Sequence, residues 1–194
     1  VLGVRTDGKL AIDVFNESVW KKGESKLKSD RIKSGLKGLV DKYQKLSKES
    51  KLGFVFFSNE TTVIDPVEMT AEDTEKLKEE IDKCDQYIGN KRNTKKAFED
   101  VDDILSENYN SDEEISILLF TDGKCDEESN KLSYGGEYEI EKLCDQIETD
   151  YGSKIYALKS SEFTDKDEEK EFLRQIVSEP HDTYIYDDGM SDSS

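Results

Sequence analysis

The chain has 194 residues, which is the usual length of one domain. Its 46 acidic residues outnumber its 28 lysines and arginines, so the net charge is −18 with the single histidine neutral. This charge argues against binding to nucleic acids or to anionic membranes, because both need a positive protein surface. Hydrophobic residues make up only 34% of the chain. They are concentrated in short blocks, which predicts a small core under a solvated acidic surface.

The sequence also lacks the features of a membrane span, a signal peptide, a disulfide scaffold and a zinc site. No apolar run reaches the ~18–20 residues of a membrane span, and residues 1–7 lack the apolar core of a signal peptide. Direct membrane insertion is therefore not expected, and the missing initiator Met suggests a mature or excised segment, which we expect to be part of a larger protein. The three cysteines, Cys84, Cys125 and Cys144, are too few for a disulfide scaffold and too scattered for a zinc site.

Five short apolar blocks have the length and composition of β-strands. Several are nearly continuous apolar runs, as expected for strands buried on both faces of a parallel sheet. A further segment that is closed by Pro66 fits a short edge strand. The five blocks are residues 10–15, 52–57, 115–120, 154–158 and 183–186, and the edge strand is residues 61–66.

Segments with helical spacing separate these strands. Apolar residues recur at steps of three and four within residues 27–46, 77–84, 97–105, 140–147 and 172–176. Strands that alternate with amphipathic helices indicate right-handed βα units and a sheet covered on both faces. We therefore predict one three-layer, doubly wound α/β domain over residues 1–188, with six mostly parallel strands and one antiparallel edge strand. Residues 189–194 are predicted to form a polar tail.

Ligands of a doubly wound sheet bind beyond the carboxyl ends of its strands. Asp13, Ser58 and Asp122 occupy such positions here. No glycine-rich phosphate loop follows any strand, and neither Ser18 nor Ser58 has a plausible base, so an enzyme is not expected. Taken by itself, Asp122 could simply stabilise the turn that ends its strand. Two carboxylates that converge on one crevice, however, repel each other unless a cation or an arginine joins them.

The order and spacing of these segments resemble a von Willebrand factor type A domain over essentially the whole chain. The central strand ends in Thr121-Asp122-Gly123, like the family's hallmark, and the first strand ends in Asp13. Five segments match in register, namely residues 9–13, 52–58, 89–98, 117–123 and 172–180. The resemblance implies the three-layer fold and a function in protein recognition or adhesion.

The resemblance also implies a metal-ion-dependent adhesion site, in which an Asp-x-Ser-x-Ser loop, a threonine and a second aspartate hold Mg²⁺. This sequence keeps the two aspartates as Asp13 and Asp122. The two serine positions fall on Phe15 and Glu17, and the threonine position falls on Arg92. Phe15 cannot coordinate a hard cation, and Arg92 brings a fixed positive charge.

We therefore expect a site without a cofactor, in which Arg92 replaces the cation and pairs with Asp13, Glu17 and Asp122. Two alternatives retain Mg²⁺ or another divalent cation. In one, a one-residue loop shift brings Asn16 and Ser18 to the serine positions, with Thr94 in place of the lost threonine. In the other, Glu17 compensates for a missing ligand in a weak site.

The resemblance implies a protein partner, such as a matrix or cell-surface protein, bound by the loops at the carboxyl ends of the strands. The expected contact face contains Trp20, Ser58, Asn59, Cys125 and Tyr134, although Trp20 could instead pack under its loop. Asn16 and Asn59 each begin a glycosylation sequon, which suits an extracellular or cell-surface location. The alternative is a metal-free, cytoplasmic scaffold domain of an assembly complex, which suits the low cysteine count.

Overall fold

The computed structural model describes residues 28–46, 50–84, 91–121, 138–159 and 167–187. These ranges contain both helices and strands, most of them where the apolar spacing predicts. Among the described residues, no helix is both long enough and apolar enough to span a membrane. In chain order the elements are α1 (Lys28–Leu46), β1 (Lys51–Phe57), β2 (Thr61–Glu68), α2 (Ala71–Asp82), α3 (Thr94–Asn108), β3 (Ser116–Thr121), α4 (Glu139–Tyr151), β4 (Lys154–Lys159), α5 (Asp167–Arg174), α6 (His181–Tyr184) and β5 (Ile185–Asp187).

The described strands form two sheets. β1 pairs antiparallel with β2, and β3, β4 and β5 are parallel in that order. The antiparallel partner of β1 is the edge strand that the sequence predicts at residues 61–66. The predicted first strand, residues 10–15, lies outside the described residues, so the count of six strands stays a prediction. The domain end at residue 188 and the polar tail of residues 189–194 also stay predictions.

The strand predicted at residues 183–186 is wrong over its first half. Thr183 and Tyr184 belong to the helical turn α6, and the strand β5 begins only at Ile185. Tyr184 packs edge-on against Tyr156 of β4, with ring centroids 4.9 Å apart. A four-residue apolar block fits one helical turn as well as a short strand, so its periodicity could not separate the two.

Side chains of the two sheets share two hydrophobic clusters, one on each face. Ile117 of β3 and Ile155 of β4 point to the face that α3, α4 and α5 cover, where Val55 of β1 also packs. Leu158 of β4 points to the opposite face, together with Phe54 of β1 and helices α1 and α2. Because each cluster combines residues from both sheets, the sheets form one middle layer between two helical layers. The predicted three-layer α/β arrangement is therefore present in the described residues.

Candidate functional site

The first turn of α3 lies near the edge at which β1 and β3 end. α3 leads through a short connection into β3, so the helix and the strand run in opposite directions. Lys51, at the start of β1, pairs with Glu113 just before β3, so β1 and β3 begin at the same edge. β3 therefore ends, at buried Thr121, at the edge where α3 begins beside Ser58. We call residues 58–60 and 91–94, together with Thr121, the upper rim.

Two hydrogen bonds hold the two loops of the upper rim together. The backbone N–H of Asn93 donates to the carbonyl oxygen of Ser58 at 3.0 Å. The backbone N–H of Lys91 donates to Oδ1 of Asn59 at 3.0 Å. Ser58 and Asn59, which the sequence places on the contact face, are thus beside the segment that precedes α3. The loop after β1 and the loop before α3 form one connected surface.

Asn93 is the N-cap of α3, and the sequence does not mark it as a site residue. Its Oδ1 accepts a hydrogen bond from the backbone N–H of Lys96 at 3.2 Å, and its carbonyl accepts one from Ala97 at 3.2 Å. Asparagine is a preferred N-cap residue, and here it precedes an amphipathic helix. An asparagine directly before a helical apolar pattern is the sequence signal that identifies such an N-cap.

Arg92 and Thr94, the two candidates for the family's threonine position, have opposite environments. Arg92 is exposed, whereas Thr94 is 0% exposed. The Thr94 Oγ1 is buried and has no hydrogen-bond partner among the described residues. A buried hydroxyl without a partner is costly, so this atom is a position where a ligand would add stability.

The two lysines of the first turn of α3 are paired with acids. Lys95 Nζ lies 2.7 Å from Oε2 of Glu139 on α4, and Lys96 Nζ lies 2.6 Å from Oδ1 of Asp100. The hydrogen bond to Glu139 raises the pKa of Lys95, and the hydrogen bond to Asp100 raises the pKa of Lys96. Their positive charge is thus largely balanced within the helical layer.

Many predicted site residues fall in parts of the chain that the structure does not describe. The described ranges contain no group of three or more His, Cys, Asp or Glu side chains that could hold a metal ion. The proposed pairing of Arg92 with acids and the metal alternatives therefore stay predictions. The undescribed site residues are Asp13, Asn16, Glu17, Ser18, Trp20, Asp122, Cys125 and Tyr134.

Residues 18–193 match the family model of the von Willebrand factor type A domain. The chain belongs to the von Willebrand factor type A domain family. A comparison with curated proteins gave no match. The type A domain is also similar to a solved structure, that of proximal thread matrix protein 1 from the mussel byssus, with a TM-score of 0.63 and 19% sequence identity. The similarity covers 89% of this chain and 40% of the mussel chain, and at this identity it shows the fold alone.

Proposed function

We propose that this type A domain is a non-enzymatic recognition module that binds a protein partner through its upper rim. Type A domains typically act in protein–protein interaction and adhesion. The observation that carries the proposal for this chain is the pair of hydrogen bonds that joins Asn93 to Ser58 and Lys91 to Asn59. They fix two loops that expose Asn59, Lys91 and Arg92. Loops that are ordered before binding lose less entropy in the complex.

Site-specific crosslinking tests which edge of the sheet meets the partner. A photoreactive residue at exposed Glu60 samples the upper rim, and one at exposed Glu114, before β3, samples the opposite edge. We expect a defined protein adduct from position 60 and none from position 114, in material from the source organism. Adducts from position 114 alone would contradict the proposal, because the partner would then contact the amino ends of the strands.

We further propose that the domain belongs to a larger secreted or cell-surface protein. The similarity to a longer byssus matrix protein supports this setting. So does Asn59, whose sequon lies in an exposed turn between β1 and β2. Protein isolated from its source should lose mass on treatment with an N-glycosidase. An unchanged mass, together with recovery of the protein in the cytoplasmic fraction, would favour the scaffold alternative.

We also propose that the upper rim works without a divalent cation. The family implies Mg²⁺, which when bound would attract a carboxylate of the partner. In the described part of the rim, however, Oδ1 of Asn59 and Oδ1 of Asn93 each accept a backbone N–H. Arg92, two residues before the buried Thr94 hydroxyl, is exposed and brings a fixed positive charge that disfavours a cation there.

Calorimetric titration with Mg²⁺ and Mn²⁺ tests this proposal. We expect no saturable heat in the micromolar range for the unmodified domain. Micromolar binding that is lost in both Thr94→Val and Asp122→Ala would contradict it. Such a result would support the alternative in which the shifted loop and Thr94 form an oxygen cage.

A further inference from the structure

The loop between α3 and β3 lies in a part of the chain that has acids but no bases. Residues 97–123 contain no lysine or arginine, although the whole chain has 28 of them. Within this stretch, Ser111 is followed directly by Asp112, Glu113 and Glu114. A serine with three acids immediately after it has the charge pattern that a kinase with a basic substrate groove selects. The loop thus combines a nucleophilic hydroxyl with a recognition pattern.

The fold makes Ser111 accessible. Ser111 and the three acids after it are all exposed, and they lie outside the helices and strands. Asn110 holds this turn, because its carbonyl oxygen accepts the backbone N–H of Glu113 at 2.9 Å and its Oδ1 accepts the backbone N–H of Asp112 at 3.1 Å. The Ser111 hydroxyl itself makes no hydrogen bond to another residue that the structure describes, so it can enter an active site without losing one.

The other two serines of residues 97–123 lack this combination. Ser106 is exposed on α3, but its hydroxyl donates to the carbonyl oxygen of Asp103 at 2.8 Å, and only the first of the next three residues is an acid. Ser116 is half-buried in β3 and precedes three apolar residues. Exposure and acidic neighbours on the carboxyl side therefore coincide at Ser111.

We propose that Ser111 is phosphorylated by an acid-directed serine kinase, that is, one that selects acidic residues after its target. The Ser111 Oγ attacks the γ-phosphorus of ATP, the bond from that phosphorus to the bridging oxygen breaks, ADP leaves, and a kinase carboxylate takes the hydroxyl proton. The phosphate adds about −1.5 to −2 charges at pH 7. It lies beside Glu113, which pairs with Lys51 at 3.2 Å where β1 and β3 begin. This edge is opposite to the upper rim, so the inference does not depend on the proposed function.

Incubation of the purified 194-residue chain with ATP, Mg²⁺ and an acid-directed serine kinase tests the inference. A serine kinase that selects basic residues is the second arm, and circular dichroism shows beforehand that each variant is folded. Mass spectrometry of the peptides locates the phosphate. We expect it on Ser111 with the acid-directed kinase and not with the other one. Ser111→Ala should accept no phosphate in this loop, whereas Ser106→Ala should accept it as the unmodified chain does.

Charge variants test whether the acids after Ser111 are recognised. Glu114→Gln should lower the rate of Ser111 phosphorylation about tenfold, as expected when a contact to a charged group is lost. Glu79→Gln, at an exposed acid of α2, should leave that rate unchanged. Protein isolated from its source with phosphatase inhibitors should carry the same phosphopeptide. Equal rates for the two charge variants, or a source protein whose Ser111 is always unmodified, would overturn the inference.

Discussion

The hydroxyl oxygen of Ser178 accepts a hydrogen bond from the backbone N–H of Ile155 at 2.8 Å. In return, the backbone N–H of Ser178 donates to the carbonyl oxygen of Ile155 at 3.1 Å. Ser178 is fully buried, and its hydroxyl also contacts the carboxylate of Glu148 on α4. The turn after α5 is thus tied to the start of β4 and to the end of α4.

Replacement of Ser178 by alanine should therefore be costly. The Ile155 N–H and the Glu148 carboxylate would both lose a buried partner, so we expect a loss of about 1–3 kcal/mol in the free energy of unfolding. Urea denaturation measures this loss in the free energy of unfolding. Ser106→Ala, at an exposed serine of α3, is the matched control and should change stability by less than about 0.5 kcal/mol. Equal stability of the two variants would show that the Ser178 contacts do not stabilise the fold.

Gly53 and Gly152 should respond differently to alanine. A Cβ on Gly53 would lie 2.8 Å from the carbonyl oxygen of Ile64 and 2.9 Å from the nitrogen of Pro66, both in the backbone of β2. Gly152, which ends α4, has a φ of 61° and open space around its Cβ position. We expect Gly53→Ala to cost about 1–3 kcal/mol through steric displacement of β2. Gly152→Ala should cost about 1–2 kcal/mol through backbone strain.

Substitution by asparagine distinguishes steric displacement of β2 at position 53 from backbone strain at position 152. Asparagine tolerates the left-handed conformation, so Gly152→Asn should recover part of the stability that Gly152→Ala loses. Gly53→Asn should be at least as destabilising as Gly53→Ala, because the larger side chain meets the same backbone atoms. Thermal unfolding of the four variants gives the comparison. Recovery at position 53 but not at position 152 would contradict both explanations.

The sequence predicted most of the described secondary structure because burial on two faces leaves a strong pattern. β3 is a continuous apolar run whose Ile117 and Leu118 pack against opposite helical layers. The helix over residues 94–108 follows from the spacing of Ala97, Val101 and Ile104. Residues 181–187 lack a clear apolar pattern. The helix α6 has only four residues, and its Tyr184 contacts both hydrophobic clusters.

The candidate site was harder to predict than the fold. Ser58 and Asn59 were placed at the rim because strand ends define that edge of the sheet. The environments of Arg92 and Thr94 depend on where α3 begins, and two residues separate an exposed guanidinium from a buried hydroxyl. Sequence spacing fixes a helix start only to within a few residues, so it could not choose between them.

Cys144 should be chemically inert in the folded domain. It is buried in the hydrophobic core on α4, and burial, followed by the neighbouring acid Glu148, raises the pKa of its thiol well above the usual value. Only the thiolate reacts readily with a disulfide reagent. In a Cys125→Ser background, we expect the reagent to label half-buried Cys84 first and Cys144 only in urea. Mass spectrometry of the labelled peptides identifies the site, and early labelling of Cys144 would contradict its burial.

The hydroxyl of Tyr151 donates a hydrogen bond to Oδ1 of Asp102 at 2.9 Å, and this pair links the end of α4 to the middle of α3. Partial burial, this hydrogen bond and the negative charge of Asp102 raise the pKa of Tyr151 from 10.0 to about 12. NMR observation of the tyrosine Cζ carbons should show the Tyr151 ring titrating near that value. The Tyr151→Phe variant should lack this signal and so assign it.

The raised pKa of Tyr151 predicts how stability changes at high pH. Between pH 10 and 12 the unfolded chain loses the Tyr151 proton while the folded protein keeps it. The folded state then binds more protons, so the Tyr151 contribution to stability is complete below pH 10 and is lost as the pH rises through about 12. The free energy of unfolding should therefore fall less steeply in Tyr151→Phe than in the unmodified domain over this range. Parallel curves for the two proteins would show that Asp102 and burial do not hold the Tyr151 proton.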